Sequence, residues 1–304
     1  MTALRSLLLA ASLAAPLASP LASPLSAQPR TADPAVRGVP LSAFPRLVPL
    51  ADNVYGYEEI RQPGFTTVSL IVVGTQGVLV ADGQGSVPAT QAMLDKIRTV
   101  TSLPIKWYVV GSDHGDHTAG NSVLPPGIQY IVHPFSVTKL QGDGAKATPM
   151  AGDSERIDVG GMTAVVRFLG RAHTGGDLLV ELPRQKILFM SEAYLNRVFP
   201  AMRSAYPSDW VKTVDRALAM PIDRYIPGHG FIETGAISRE ELVAFRDALK
   251  AVIAEVTRLH AQGLSVDDAI KQANFGAYAG WFIADQQAPI AVRKIYDELN
   301  GTLK

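Results

Sequence analysis

"IKWYVVGSDHGDHTAGN", residues 105–121, decides how the rest of the chain is read. The continuous apolar run 105–110 has the character of a buried strand. It leads straight into a Gly-containing loop, 111–121, in which His114, Asp116 and His117 lie close together. Imidazole nitrogens and a carboxylate at this spacing can turn toward one point, and zinc accepts both donor types. Ser112 stands two residues before His114, where another imidazole would complete such a loop.

The chain has six histidines, and four of them sit in Gly-flanked loops: His114 and His117 in "DHGDHTAGN", His173 in "GRAHTGGD" and His229 in "IPGHG". Glycines allow the sharp turns and close backbone approach that a ligand loop needs. One such histidine would be an ordinary loop residue; four together point to a metal site. His133, in "YIVHP", ends an apolar strand and reads as structural. His260 lies near the end of a long helix, where its polarity suits the helix dipole, and reads as a surface residue. There is no cysteine, which excludes disulfides, thiolate ligands and a thiol nucleophile. Any metal must be held by His, Asp, Glu and water.

Working outward, "VYGYEE", "TTVSLIVVG", "GVLVADG", "IQYIVH", "MTAVVRFL", "DLLVEL" and "KILFM" read as further strands bounded by Gly and turn residues. A helix is expected over 88–100. Another opens at Ser208 and ends at Pro221. Ser238 with Glu241 has the form of a capping box opening a long helix that stops at Gly263. Ser265 with Asp268 repeats the signature, and a last helix is expected over 289–302. This order predicts two packed sheets with helices outside. No G-x-G-x-x-G follows the first strand and no P-loop is present, so a nucleotide fold is not expected.

The 304 residues carry 28 Lys+Arg against 28 Asp+Glu, a balance that gives no electrostatic case for nucleic acid or an anionic membrane. Residues 1–27 run from Arg5 through a short apolar stretch to small residues, the layout of a signal peptide. Pro16 breaks that stretch, so no stable membrane span is expected. Residues 28–45, rich in Pro, Ala and Arg, read as a linker, and 46–304 as one domain with C-terminal helices. The expected location is periplasmic or secreted.

Five motifs in order, "LVADG", "SDHGDHTAGN", "AHTGGD", "LFMSEAY" and "YIPGHG", resemble those of the metallo-β-lactamase superfamily, across roughly residues 46–235. The resemblance implies an α+β fold, a four-layer αββα sandwich with metals at one sheet edge. It implies one metal held at the positions of Ser112, His114 and His173, a second held by Asp116, His117 and His229, and a bridging carboxylate at Glu192. Asp82 would orient ligands from behind. Two positions depart from the pattern: Ser112 replaces the first His of the H-x-H-x-D-H motif, and Glu192 replaces the usual Asp. A serine hydroxyl is a poor zinc ligand, so one tight and one weaker zinc site are expected. The side chain of Asp113 should point away and not compensate.

The implied function is a secreted zinc-dependent hydrolase, β-lactamase-like, acting on a small molecule. Metal-bound hydroxide would attack an acyl carbon in a lactam, lactone, ester or thioester, with Asp116 orienting the water. Tyr194, Asn196, Arg197 and Arg203 follow Glu192 closely and are candidates for the substrate pocket. Specificity is expected to lie in 57–67 and 194–207. One alternative is a non-catalytic or weakly active relic, supported by Ser112. A lower-ranked one is an iron-dependent redox enzyme on the same fold, which generally has an acidic ligand where His114 stands.

Overall fold

The computed structural model describes residues 29–140 and 146–303; the expected signal peptide lies outside them. One sheet has seven strands in sequential order: β1 (Arg46–Ala51), β2 (Val54–Arg61), β3 (Phe65–Gly74), β4 (Gly77–Ala81), β5 (Ile105–Val109), β6 (Gln129–Val132) and β7 (Ala147–Pro149). Its first four strands form an antiparallel meander, and β4 to β7 pair in parallel. The second sheet has the order β12-β11-β10-β9-β8, built from β8 (Ser154–Asp158), β9 (Thr163–Arg167), β10 (Leu179–Leu182), β11 (Ile187–Phe189) and β12 (Arg224–Ile226). The helices are α1 (Val87–Arg98), the single turn α2 (Gly115–Thr118), α3 (Pro207–Leu218), α4 (Gly235–Ala261), α5 (Val266–Gln272) and α6 (Ala284–Leu299).

The alternation of side chains along each strand sorts the core into three layers. Leu70, Val72, Leu79 and Val109 meet Val166, Val180, Phe189 and Ile226 between the sheets. Their neighbours Ile71, Val80 and Tyr108 face outward onto Met93, Leu94 and Ile97 of α1. On the far side, Leu179, Leu188 and Tyr225 pack against Trp210 of α3, Phe245 and Leu249 of α4, and Ile295 of α6. Helix, sheet, sheet, helix: this is the expected αββα sandwich.

Several local expectations are corrected by tertiary contacts. Ser238 does not cap α4. The helix starts at Gly235, with Thr234, four residues before Ser238, at its N-cap, and the Ser238 hydroxyl donates to Gly235 O and accepts the Tyr225 N–H at 3.1 Å, tying α4 to β12. Ser208 lies inside α3 and donates to Glu298 at 2.7 Å. Ser265 does cap α5, accepting the Asp268 N–H at 3.2 Å. The last helix begins at Ala284, ahead of Pro289, after Ile283 in a left-handed conformation. The stretch read as a linker is docked, not free. Ala32 is buried in the helical layer, Arg30 reaches Glu240 at 2.7 Å and Glu241 at 3.1 Å, and Arg37 pairs with Glu233. Arginine side chains meeting the largely buried Glu233 and Glu241 outweigh the loop-like composition of this stretch.

One close approach ties the fold to the loops at its sheet edge. Gly228, just after β12, donates its N–H to Ser191 O at 2.7 Å, and its carbonyl accepts the Val68 N–H at 2.8 Å. A Cβ at residue 228 would lie 2.4 Å from the Ser191 carbonyl carbon, so only glycine lets the two loops touch. Gly228→Ala is expected to force the loops apart and to cost about 1–3 kcal/mol of stability, the usual range for overpacking. Chemical denaturation checks the loss. A stability equal to wild type would mean the contact is soft.

Candidate metal centre

The site is built from strand ends at one edge of the sandwich. β4 ends at Ala81 and delivers Asp82, in the left-handed region at φ 62°. β5 leads into Ser112 and His114, and α2 turns Asp116 and His117 toward the same point. The connection from β9 to β10 carries His173, the end of β11 carries Ser191 and Glu192, and the end of β12 carries His229. A left-handed backbone at Ser191 (φ 47°) swings Glu192 inward.

Six side chains proposed from the sequence form two donor groups here. Asp116, His117, Glu192 and His229 make one; His114, His173 and Glu192 make the other; within each, the donor atoms lie within 4.8 Å of one another. Glu192 belongs to both. Its Oε1 is 3.1 Å from His173 Nε2 and 3.2 Å from His229 Nε2, and its Oε2 is 2.9 Å from His114 Nδ1. Asp116 Oδ2 is 3.0 Å from His229 Nε2. His117 and His229 face each other, Nε2 to Nε2, at 3.3 Å. Two ring nitrogens this close need a proton or a cation between them. The donor set of imidazoles and carboxylates fits zinc.

The outward nitrogens fix how each ring is held. His229 Nδ1 lies 2.9 Å from Thr66 O, and His114 Nε2 lies 3.0 Å from Ser204 Oγ. His117 Nδ1 comes within 3.0 Å of Asp82 Oδ2, off the direction of an aligned hydrogen bond, so charge attraction is the main component. Asp82 is itself fixed by the Gly111 N–H at 2.6 Å and by the Ser191 hydroxyl. His173 Nδ1 is buried without a hydrogen-bond partner, and that ring packs edge-on against Trp210. Ser112 is fully buried; its hydroxyl donates to Glu192 Oε2, and its N–H lies 3.3 Å from Asp82 Oδ1. Asp113 belongs to neither donor group.

Burial disfavours the charged forms of His114, Asp116, His117 and Glu192, and neighbouring opposite charges override it. Burial opposes the His114 imidazolium, yet Glu192 raises it to about 9. His117 is likewise raised to about 9 against burial, by Asp82 and Asp116. Burial and Glu192 push the Asp116 carboxyl up, but His117 and His229 hold it below its ordinary range. Burial pushes Glu192 up too, but His173 and His114 hold it well below. His173 goes the other way, lowered by burial. Both carboxylates are therefore anionic near neutral pH, and a metal must displace imidazole protons to bind.

A cavity of about 360 Å³ opens onto the cluster, lined by Arg61, Phe65, Leu195, Arg203, Ile283 and Gln287 together with the donor groups. Of the four pocket candidates, only Arg203 lines it. Tyr194 is buried against Phe245, Asn196 donates to Phe231 O at 2.7 Å, and Arg197 grips Glu241 with Nη2 at 2.7 Å. None of these three lines the cavity: Tyr194 and Arg197 are taken up by α4, and Asn196 by the loop after β12. The stretch 57–67 is a tight hairpin between β2 and β3, and it sends Arg61 and Phe65 into the cavity, with Arg61 Nη1 3.0 Å from Asp116 Oδ2. Ile283 and Gln287 carried no sequence signal, since they lie far along the chain in a helical region. His133 stacks on Phe168 at 4.1 Å, and His260 contacts Asn300 at 2.9 Å; neither joins the site.

Comparison with known proteins agrees with this architecture. No protein-family model matches the chain. The metallo-β-lactamase type 2 of Bacteroides fragilis is 24% identical over 208 residues, which cover 64% of this chain and 83% of that relative. A solved metallo-β-lactamase from Pontibacter korlensis superposes with a TM-score of 0.58 at 21% identity, covering 66% of this chain and 98% of the other. The stereoselective inverting sec-alkylsulfatase Pisa1 from Pseudomonas sp. superposes with a TM-score of 0.66 at 14% identity, covering 83% of this chain and 50% of that protein. In its ordered motifs, its two-sheet sandwich and these relatives, the chain is similar to the metallo-β-lactamase superfamily.

Proposed function

We propose that this protein is an exported zinc hydrolase that attacks an acyl carbon of a small-molecule substrate. The observation that carries this reading is the pair of donor groups sharing Glu192 at an open cavity. His114 and His173 would hold one zinc, Asp116, His117 and His229 the other, with Glu192 between them. When bound, zinc would make a water nucleophilic near neutral pH and polarise the substrate carbonyl.

The chain's own residues supply order. Asp82 and Thr66 O orient His117 and His229. Arg61 limits how the Asp116 carboxylate turns, so that its free oxygen can orient the attacking water. Arg61 and Arg203 place positive charge at the cavity and suit an anionic group on the substrate. The relatives' names make a β-lactam the first substrate to assay, beside a lactone, a thioester and a secondary alkyl sulfate.

The relic reading rests on Ser112 alone, and the Ser112 hydroxyl donates to Glu192 within the cluster, which supports a retained site. The iron redox reading lacks the acid expected at His114. Zero net charge favours a small molecule over nucleic acid as partner.

Asp116→Ala should lower kcat/KM by at least about a hundredfold with the fold intact by circular dichroism, because a ligand and water-orienting group is lost. Activity near wild type with metal still bound would remove Asp116 from the mechanism.

Zinc titration against a chelator should find one tight and one weak site. Ser112→His should tighten the weak one by about 10–100-fold, the scale on which metal-site partners act. Two equally tight zincs in the unmutated protein would show that the Ser112 site is already complete.

The leader predicts export with loss of about 27 residues. Intact-mass measurement of the exported protein checks it, and a mature chain retaining residue 1 would contradict it.

A further inference from the structure

Beside its donor groups the cavity has an apolar lining drawn from three separate elements: Phe65 opening β3, Leu195 and Val198 after Glu192, and Ile283 just before α6. Ile283 is the unusual member. Its backbone sits at φ 58°, ψ 17°, in the left-handed region. A β-branched side chain is strained there, whereas glycine would adopt the same conformation freely.

The surrounding chain enforces this geometry. Ile283 O accepts the N–H groups of Gln286 at 3.1 Å and Gln287 at 3.0 Å. The preceding residue, Phe282, exchanges backbone bonds with Arg197 O at 3.1 Å and with the Phe199 N–H at 3.0 Å, and its ring lies 5.5 Å from that of Phe65. Strain retained where glycine would relieve it calls for a gain elsewhere. Ile283 is half-buried and packs on one side against the core of the helical layer, which leaves part of its side chain free of that core. The rest of its side chain lines the cavity.

We propose that Ile283 is a specificity-determining residue, and that the substrate carries a compact apolar group that packs on the wall formed by Ile283, Val198, Leu195 and Phe65. This rests on reading the cavity as the substrate site of the hydrolase. The cavity volume, about 360 Å³, lies at the small end of ligand pockets, which limits that group to a short chain or one ring.

The test measures dissociation constants of acetate, butanoate and hexanoate for the purified full chain by calorimetry, with its metal content determined in parallel. Wild type should bind hexanoate roughly tenfold more tightly than butanoate, from burial of two further methylenes. Ile283→Gly, which removes strain and side chain together, should lose most of that gain while melting within a few degrees of wild type. Ile283→Val, closer in shape, should keep most of it. Equal affinities along the wild-type series, or an undiminished hexanoate preference in Ile283→Gly, would overturn the proposal. The series reads the wall whether or not hydrolysis is seen. A graded series without turnover leaves the wall and removes the hydrolase; a flat series with turnover does the reverse.

Discussion

Glu192 carries a negative charge at the buried meeting point of the two sheets, within 3.2 Å of imidazoles from three different loops. An isolated carboxylate there would be expensive to bury. It is tolerated because His114, His173 and His229 meet it at close range, His114 adds positive charge, and the Ser112 hydroxyl donates to it. Every loop that carries a candidate ligand therefore has an electrostatic reason to converge on one point. The same convergence gives Glu192 its place in both donor groups.

The sandwich makes that convergence possible. Strands β4, β5, β11 and β12 all end at the same edge, and β11 and β12 run parallel, so their following loops emerge side by side. Asp82 sits between the two halves. It takes the Gly111 N–H from one sheet's loop and the Ser191 hydroxyl from the other's, and it faces His117. Gly228 closes the second sheet's loops against each other by having no side chain. The centre is thus held by short contacts between compact side chains and backbone groups at strand ends.

The helical layer and the docked N-terminal segment brace the site from behind. Arg197 grips the buried Glu241, which Arg30 also reaches, while Arg37 pairs with Glu233 beside Phe231. These pairs fix the 194–199 segment, whose opposite side supplies Leu195 and Val198 to the cavity. α6 adds Ile283 and Gln287 to the same wall. A cavity assembled from a β-hairpin, a crossover segment and a C-terminal helix gets its shape from the packing of all three.

The sequence by itself determined the parts of this protein that are local and chemical. Apolar strand runs bounded by Gly, four Gly-flanked histidines and Asp116 beside His117 could be read from neighbouring residues, and the resemblance added Glu192 after "LFM" to the candidate donors and implied the sandwich. Ser265 was legible as a cap because its partner is three residues away. What failed did so where partners are distant. Ser238 looked like a cap until β12 claimed its hydroxyl, and Arg197 looked like a pocket residue until Glu241 claimed its guanidinium. The Pro- and Arg-rich stretch before β1 looked free until Glu233 and Glu241 held it. Only the tertiary structure decided that Ser112 donates to Glu192 and that Ile283 forms part of the cavity wall. The physical reason is separation: Ser112 and Glu192 are 80 residues apart, and no local pattern records which buried charge a hydroxyl will meet once the sheets close.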